Sequence, residues 1–409
     1  MLYHIHEFQR SILQPISRLA NAGSELYTNP YSPLSYTPFS KRLAATFDLV
    51  HRLGKEYQKP AFEIGSTTVK GVDVPIVEQV VLEKPFCKLI HFKRELPAGL
   101  TAPSCPKILL VAPLSGHHAT LLRDTVRTLL LDHDVYITDW IDARMVPLNL
   151  GPFHLDDYVD YVKEFIALLS PDLNVMSVCQ PTVPVLAAVS LMASEGHPAV
   201  PRTIIMMGGP IDTRKSPTSV NDLATQKSYD WFENHVIYTV PSKYPGYLRK
   251  VYPGFLQHAG FVAMNPNRHI TSHYDYYLQL IKGDGESADS HRAFYDEYNA
   301  VLDLAAEFYL DTIRVVFQEH ALPRGTWSVR GQPVRPQDIT QTALLTVEGE
   351  LDDISGPGQT QAAHDLCTGI PAHRQEDMVV PKAGHYGIFS GRRWREQVAP
   401  RITEFIRRH

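Results

Sequence analysis

The sequence predicts an α/β fold, a mostly parallel central sheet with helices on both faces, and three observations carry that reading. Short apolar runs at residues 108–113, 135–140, 174–178 and 203–207 alternate with helix-forming stretches such as 155–169 and 183–194. The runs are continuously apolar rather than alternating, as strands buried on both faces require. One of them, Asn174-Val175-Met176-Ser177-Val178, ends in Cys179 and passes at once into a helical stretch.

Taken in order, residues 1–60 read as an N-terminal helical segment, with Ile12, Ile16 and Leu19 at helical spacing and Pro and Tyr breaks. Residues 61–212 form the first part of the α/β core. It opens with a β pattern to residue 98, as in Val74-Pro75-Ile76-Val77-Glu78-Gln79-Val80-Val81. The alternation stops near Asp212 and resumes near Thr342, which leaves 213–340 as an inserted segment. This segment carries Tyr244-Pro245-Gly246-Tyr247, Tyr252-Pro253-Gly254-Phe255 and Tyr274-Asp275-Tyr276-Tyr277. Ligands of open α/β sheets sit over the carboxyl ends of the strands, so a lid (cap) domain is expected there, above Cys179. Residues 341–409 complete the core with strands at 344–347 and 378–380 and a last helix near 394–406.

Bulk properties exclude several classes. The 409 residues are 44% hydrophobic and 20% charged, a globular profile, and the net charge of −5 argues against a nucleic-acid partner. No apolar run approaches the ~18 residues of a membrane span. The start, Met1-Leu2-Tyr3-His4-Ile5-His6-Glu7, lacks the cationic and apolar regions of a signal peptide. Cys87, Cys105, Cys179 and Cys367 form no CxxC pair, so neither a disulfide framework nor a zinc site is expected, and a cytoplasmic location is.

The strand-to-helix turn at Cys179 has the layout of a nucleophile elbow, which specifies an α/β-hydrolase fold. Small residues are usual two positions either side of the nucleophile. Ser177 meets this, and Pro181 falls in the first helical turn, where a missing N–H costs little. The helix N-terminus favours a thiolate. His385 stands in Gly384-His385-Tyr386-Gly387 after the last strand, the place of the base. The acid that orients it is expected in Glu348-Gly349-Glu350-Leu351-Asp352-Asp353, with Asp212 as a rival one strand earlier. Oxyanion donors are expected from the backbone N–H of Gln180 and from Leu114 or Ser115 in the loop Pro113-Leu114-Ser115-Gly116-His117-His118. The histidine pair has no Cys or carboxylate at metal spacing, so no metal and no other cofactor is expected.

These motifs resemble the intracellular poly(3-hydroxybutyrate) depolymerases, with polyhydroxyalkanoate (PHA) synthases as more distant relatives, and the resemblance covers nearly the whole chain. It is carried by Ala112-Pro113-Leu114-Ser115-Gly116-His117-His118, Val178-Cys179-Gln180-Pro181, Glu348-Gly349-Glu350-Leu351-Asp352-Asp353-Ile354 and Gly384-His385-Tyr386-Gly387-Ile388-Phe389. The resemblance implies a Cys179-Asp352-His385 triad acting on the esters of stored polymer through an acyl thioester. Its implied partners are the polyester and the surface of its cytoplasmic granules. Asp352 is chosen because the synthases carry Asp-His where this chain has Asp352-Asp353. Pro181 departs from the Gly usual in synthases and sides with the depolymerases. Acyl transfer to coenzyme A or a chain-end hydroxyl, and a granule protein without activity, remain alternatives. Oligomeric state and chain-length preference are not legible.

Overall fold

In the computed structural model, residues 2–97, 105–264 and 266–409 are described. Nine strands form one sheet: β1 (Ser66–Val69), β2 (Val72–Lys84), β3 (Cys87–Arg94), β4 (Lys107–Val111), β5 (Asp134–Trp140), β6 (Leu173–Val178), β7 (Thr203–Met207), β8 (Ala343–Gly349) and β9 (Gln375–Val380). Their spatial order is β1-β2-β3-β5-β4-β6-β7-β8-β9. The first three pair antiparallel, β3 meets β5 antiparallel, and the remaining six run parallel. The parallel strands β6, β7 and β8 are buried along their whole length, which explains their unbroken apolar character.

Eleven helices matter here: α1 (Leu2–Thr28), α2 (Ser40–Gly54), α3 (Arg123–Leu129), α4 (Leu155–Leu169), α5 (Thr182–Ser194), α6 (Ser219–Gln226), α7 (Tyr229–His235), α8 (Gly254–Met264), α9 (Pro266–Lys282), α10 (Gly285–Tyr298) and α11 (Ala306–Thr312). Helix α5 is buried from Thr182 to Met192, because it is apolar on every face and packs inside the molecule. Helices α6 to α11 all lie in the segment between β7 and β8. Val251, Leu302, Phe308 and Trp327 of that segment join Leu109, Val175 and Ile205 of the sheet in one hydrophobic core. The last helix of the chain begins at Gly391, earlier than the pattern predicts, and ends at Arg408.

Helices α1 and α2 are tied to the inserted segment. Buried Tyr3 donates from its hydroxyl to Asp303 Oδ2 at 2.6 Å, and Arg52 pairs with Asp296 at 3.0 Å. The apolar positions that mark α1 as helical point outward: Ile12, Ile16 and Leu19 are 51%, 49% and 74% exposed. With Ile5 and Phe8, also exposed, they form one continuous stripe at spacings of three and four. Among the described residues no helix is long and apolar enough to cross a membrane.

Candidate active site

Strand β6 delivers Cys179 to the rim of the sheet in a left-handed conformation, φ +69°, which a non-glycine residue adopts only when its surroundings enforce it. The Cys179 N–H donates to Met207 O at 2.7 Å, fastening the turn to the end of β7. Pro181 follows with φ −56°, ready for α5. The turn lies against Gly209, where a Cβ would stand 1.9 Å from Thr182 Oγ1 and 2.6 Å from Cys179 O. Only glycine fits there. Thr360 Oγ1 brackets the same glycine, accepting from its N–H at 2.8 Å and donating to its carbonyl at 3.0 Å.

His385 sits on the loop after β9 and Asp352 on the loop after β8. The His385 Nδ1–H donates to Asp352 Oδ2 at 2.7 Å, with both side chains buried. Asp352 Oδ1 accepts from the N–H groups of Ile354 and Ser355 at 2.9 and 2.8 Å, so the carboxylate has a fixed direction. The imidazole also faces Cys179 closely enough to interact with it electrostatically. Burial opposes its charged form. The facing Cys179 and Asp352 outweigh that and hold the imidazole well above the ordinary histidine range.

The structure therefore brings Cys179, His385 and Asp352 together and leaves the other two acids apart. Asp353 is exposed. Asp212 pairs with Arg214 at 2.8 Å through both oxygens; burial works against its charge, but Arg214 holds the carboxyl below its ordinary value. Among the other cysteines, burial raises the thiols of Cys87 and Cys105 and pushes Cys367 up to about 12.

A cavity of about 640 Å³ opens over Cys179. Pro113, Leu114, Ser115, Gln180 and His385 share its floor with the cysteine. Its roof is apolar: Phe232, Tyr252, Phe308, Tyr309, Ile313 and Phe317. Four of these (308, 309, 313 and 317), with Thr312 of the wall, lie on α11 and the π-helical turn Ile313–Gln318 that continues it. The amide of Gln180, buried beside the cysteine, finds no hydrogen-bond partner among the described residues. A second, more polar cleft of about 960 Å³ reaches His385 from the side of α9 and α10.

The loop after β4 is strapped to the inserted segment. Leu302 N–H donates to Gly116 O at 2.8 Å, and His117 Nε2 lies 3.2 Å from Tyr298 O. Burial pushes His117 down to about 4, partly offset by that bond, and His118 down to about 3. The histidine pair therefore stands as neutral imidazoles. Among the described residues no group of three or more His, Cys, Asp or Glu could hold a metal ion.

Sequence reasoning passed over two supports of this site. Glu348, on β8, accepts from the N–H groups of Gly358, Thr360 and Gln361 at 2.7, 2.7 and 2.9 Å. Through Thr360 it steadies Gly209 and hence the turn at Cys179. A carboxylate inside an apolar strand was its signal. Gly208, φ +53°, is the other: a Cβ there would come 3.2 Å from His385 Cε1 and 3.3 Å from Asp352 Oδ2. The glycine pair closing a strand was the visible cue.

The strand order, the left-handed cysteine between β6 and α5, and the histidine after the last strand define an α/β-hydrolase. Residues 208–409 match the family described as PHB de-polymerase C-terminus. Over that stretch, just under half of its length, the chain is similar to the poly(3-hydroxybutyrate) depolymerases. No curated protein matches it. Solved structures similar to it include the monoacylglycerol lipase of Paleococcus ferrophilus, at 11% identity and TM-score 0.44, covering 73% of this chain and 93% of that one. A 2-hydroxy-6-oxo-6-phenylhexa-2,4-dienoate hydrolase of Rhodococcus sp. strain RHA1 is 12% identical at TM-score 0.44, covering 82% and 99%. A thermophilic esterase of Thermogutta terrifontis is 12% identical at TM-score 0.40, covering 84% and 97%.

Proposed function

We propose that this protein hydrolyses the ester bonds of stored poly(3-hydroxybutyrate), with Cys179 as nucleophile, His385 as acid and base, and Asp352 as the group that orients it. The observation that carries the reading is the linked set Cys179, His385 and Asp352, the first two on the floor of an apolar cavity. Cys179 sulfur attacks the ester carbonyl, and the oxyanion takes hydrogen bonds from the N–H groups of Gln180 and of Leu114 or Ser115. The C–O bond then breaks, the leaving alkoxide takes a proton from His385, and an acyl thioester remains. Water deprotonated by His385 attacks the thioester carbon, the C–S bond breaks, and the free acid departs.

The substrate follows from the walls. A methyl-bearing polyester offers acceptors and apolar surface but no donors along the chain, which suits an aromatic roof over a few fixed donors. In this reading residues 213–340 serve as the lid, on a core made of 61–212 and 341–409, with 1–60 as an added helical layer. The exposed stripe of α1 supports adsorption to an apolar granule surface in the cytoplasm.

The test is incubation of the purified protein with amorphous polymer and no added thiol, alongside Cys179→Ala and an alkylated sample. Soluble 3-hydroxy acids are expected from the wild type alone, with the variant slower by at least about 10³-fold. Undiminished release by Cys179→Ala would reject the nucleophile, and release only with coenzyme A would make the protein a transferase.

A further inference from the structure

We infer that the polar cleft of about 960 Å³ beside His385 is the leaving-group subsite, which receives the ester-rich segment that departs with the new hydroxyl end, while the apolar cavity keeps the acyl side. The inference rests on the proposed ester hydrolysis and adds a direction to the bound chain. Cys179 lines the apolar cavity, whereas His385, Tyr386 and Ile354 line both spaces. The acyl group must end on the sulfur. The alkoxide must leave on the side of the imidazole that protonates it. A proton donor forming the common wall therefore divides the substrate: what stays on Cys179 occupies one space and what His385 releases enters the other.

The chemistry of the two linings differs in the same sense. The cleft is lined from α9 and α10 by polar side chains, among them Thr271, Ser290, Tyr295 and His291. Ester carbonyls and a terminal carboxylate are acceptors, so this side of the product meets donors. Neither ring nitrogen of His291 has a hydrogen-bond partner among the described residues, although its ring is stacked 4.3 Å from Tyr276. A neutral imidazole always carries one N–H, so an unused donor lies within the cleft wall, beneath its surface.

The experiment compares kcat/KM for two substrates with one acyl group and different leaving groups, 4-nitrophenyl 3-hydroxybutyrate and a linear 3-hydroxybutyrate trimer. Ser290→Trp and Thr271→Trp each fill the cleft from an exposed helix position, so at least one is expected to fold. The trimer-to-nitrophenyl ratio is expected to fall about tenfold in these variants, the equivalent of about 1.4 kcal/mol. Phe317→Trp, filling the acyl cavity, is expected to lower both values together. A ratio within twofold of wild type in both cleft variants, with wild type active on both esters, overturns the subsite and leaves the hydrolase reading intact. Wild type inactive on both esters overturns the hydrolase reading and the subsite with it.

Discussion

The floor and the roof of the cavity over Cys179 are built on opposite plans. The floor is backbone held by backbone: a left-handed cysteine, a glycine with no room for a methyl group, and an aspartate gripped by two amides. The roof is side-chain bulk, aromatic rings on the short α11 and the π-helical turn after it. Chemistry demands fixed directions, which the rim of a parallel sheet supplies. Enclosing an apolar chain demands only shape and area, which short helices supply. The floor should therefore tolerate almost no substitution, and the roof many.

The comparison is sharpened first at the acid. Asp352→Asn is expected to lower kcat on the order of 10³-fold, since an amide no longer holds the imidazole in its donating tautomer. Asp353→Asn and Asp212→Asn should stay within about threefold of wild type in the same steady-state assay. An equal loss in either would move the acid elsewhere. Next comes the glycine cradle: Gly209→Ala is expected to cost about 3 kcal/mol in chemical denaturation, because its Cβ would stand inside the hydroxyl of Thr182 and against Cys179 O.

The strap between the two walls gives a pH signature of similar size. His117 is held near 4 in the folded protein, below its ordinary 6.5, so the unfolded chain binds more protons between those values. Its contribution to stability is then present above pH 6.5 and lost as pH falls to about 4, by about 3 kcal/mol at 1.4 kcal/mol per unit. Denaturation of His117→Gln is expected to be flatter than wild type across that window by this amount. Parallel curves would remove the buried neutral imidazole from the account. The smallest effect belongs to the roof: Phe317→Leu should lower kcat/KM by no more than about tenfold. A loss as deep as that of Asp352→Asn would erase the distinction between the two walls.

Legibility followed the same division. Strand β7 and helix α4 lie where apolar runs and periodicity put them, because burial on both faces leaves a strong local signature. The cysteine and histidine that position singled out come together with Asp352, the acid that the family resemblance implied among the candidates, since their strands are neighbours in the order β6-β7-β8-β9. Gly209 was not legible as a cradle, because its need is set by Thr182 and by Thr360, far along the chain. Nor could Phe308 or Phe317 be told from ordinary core aromatics, since a ring facing a cavity and a ring facing a neighbour leave the same mark. Helix α1 reversed the usual inference. Its period is helical, yet its apolar stripe faces outward.

The bonds from Gly116 and His117 to Leu302 and Tyr298 have a mechanical consequence. They fasten the loop that carries Leu114 and Ser115 to the segment between β7 and β8, so the floor and the roof share a seam, and a substitution that loosens one wall is felt by the other.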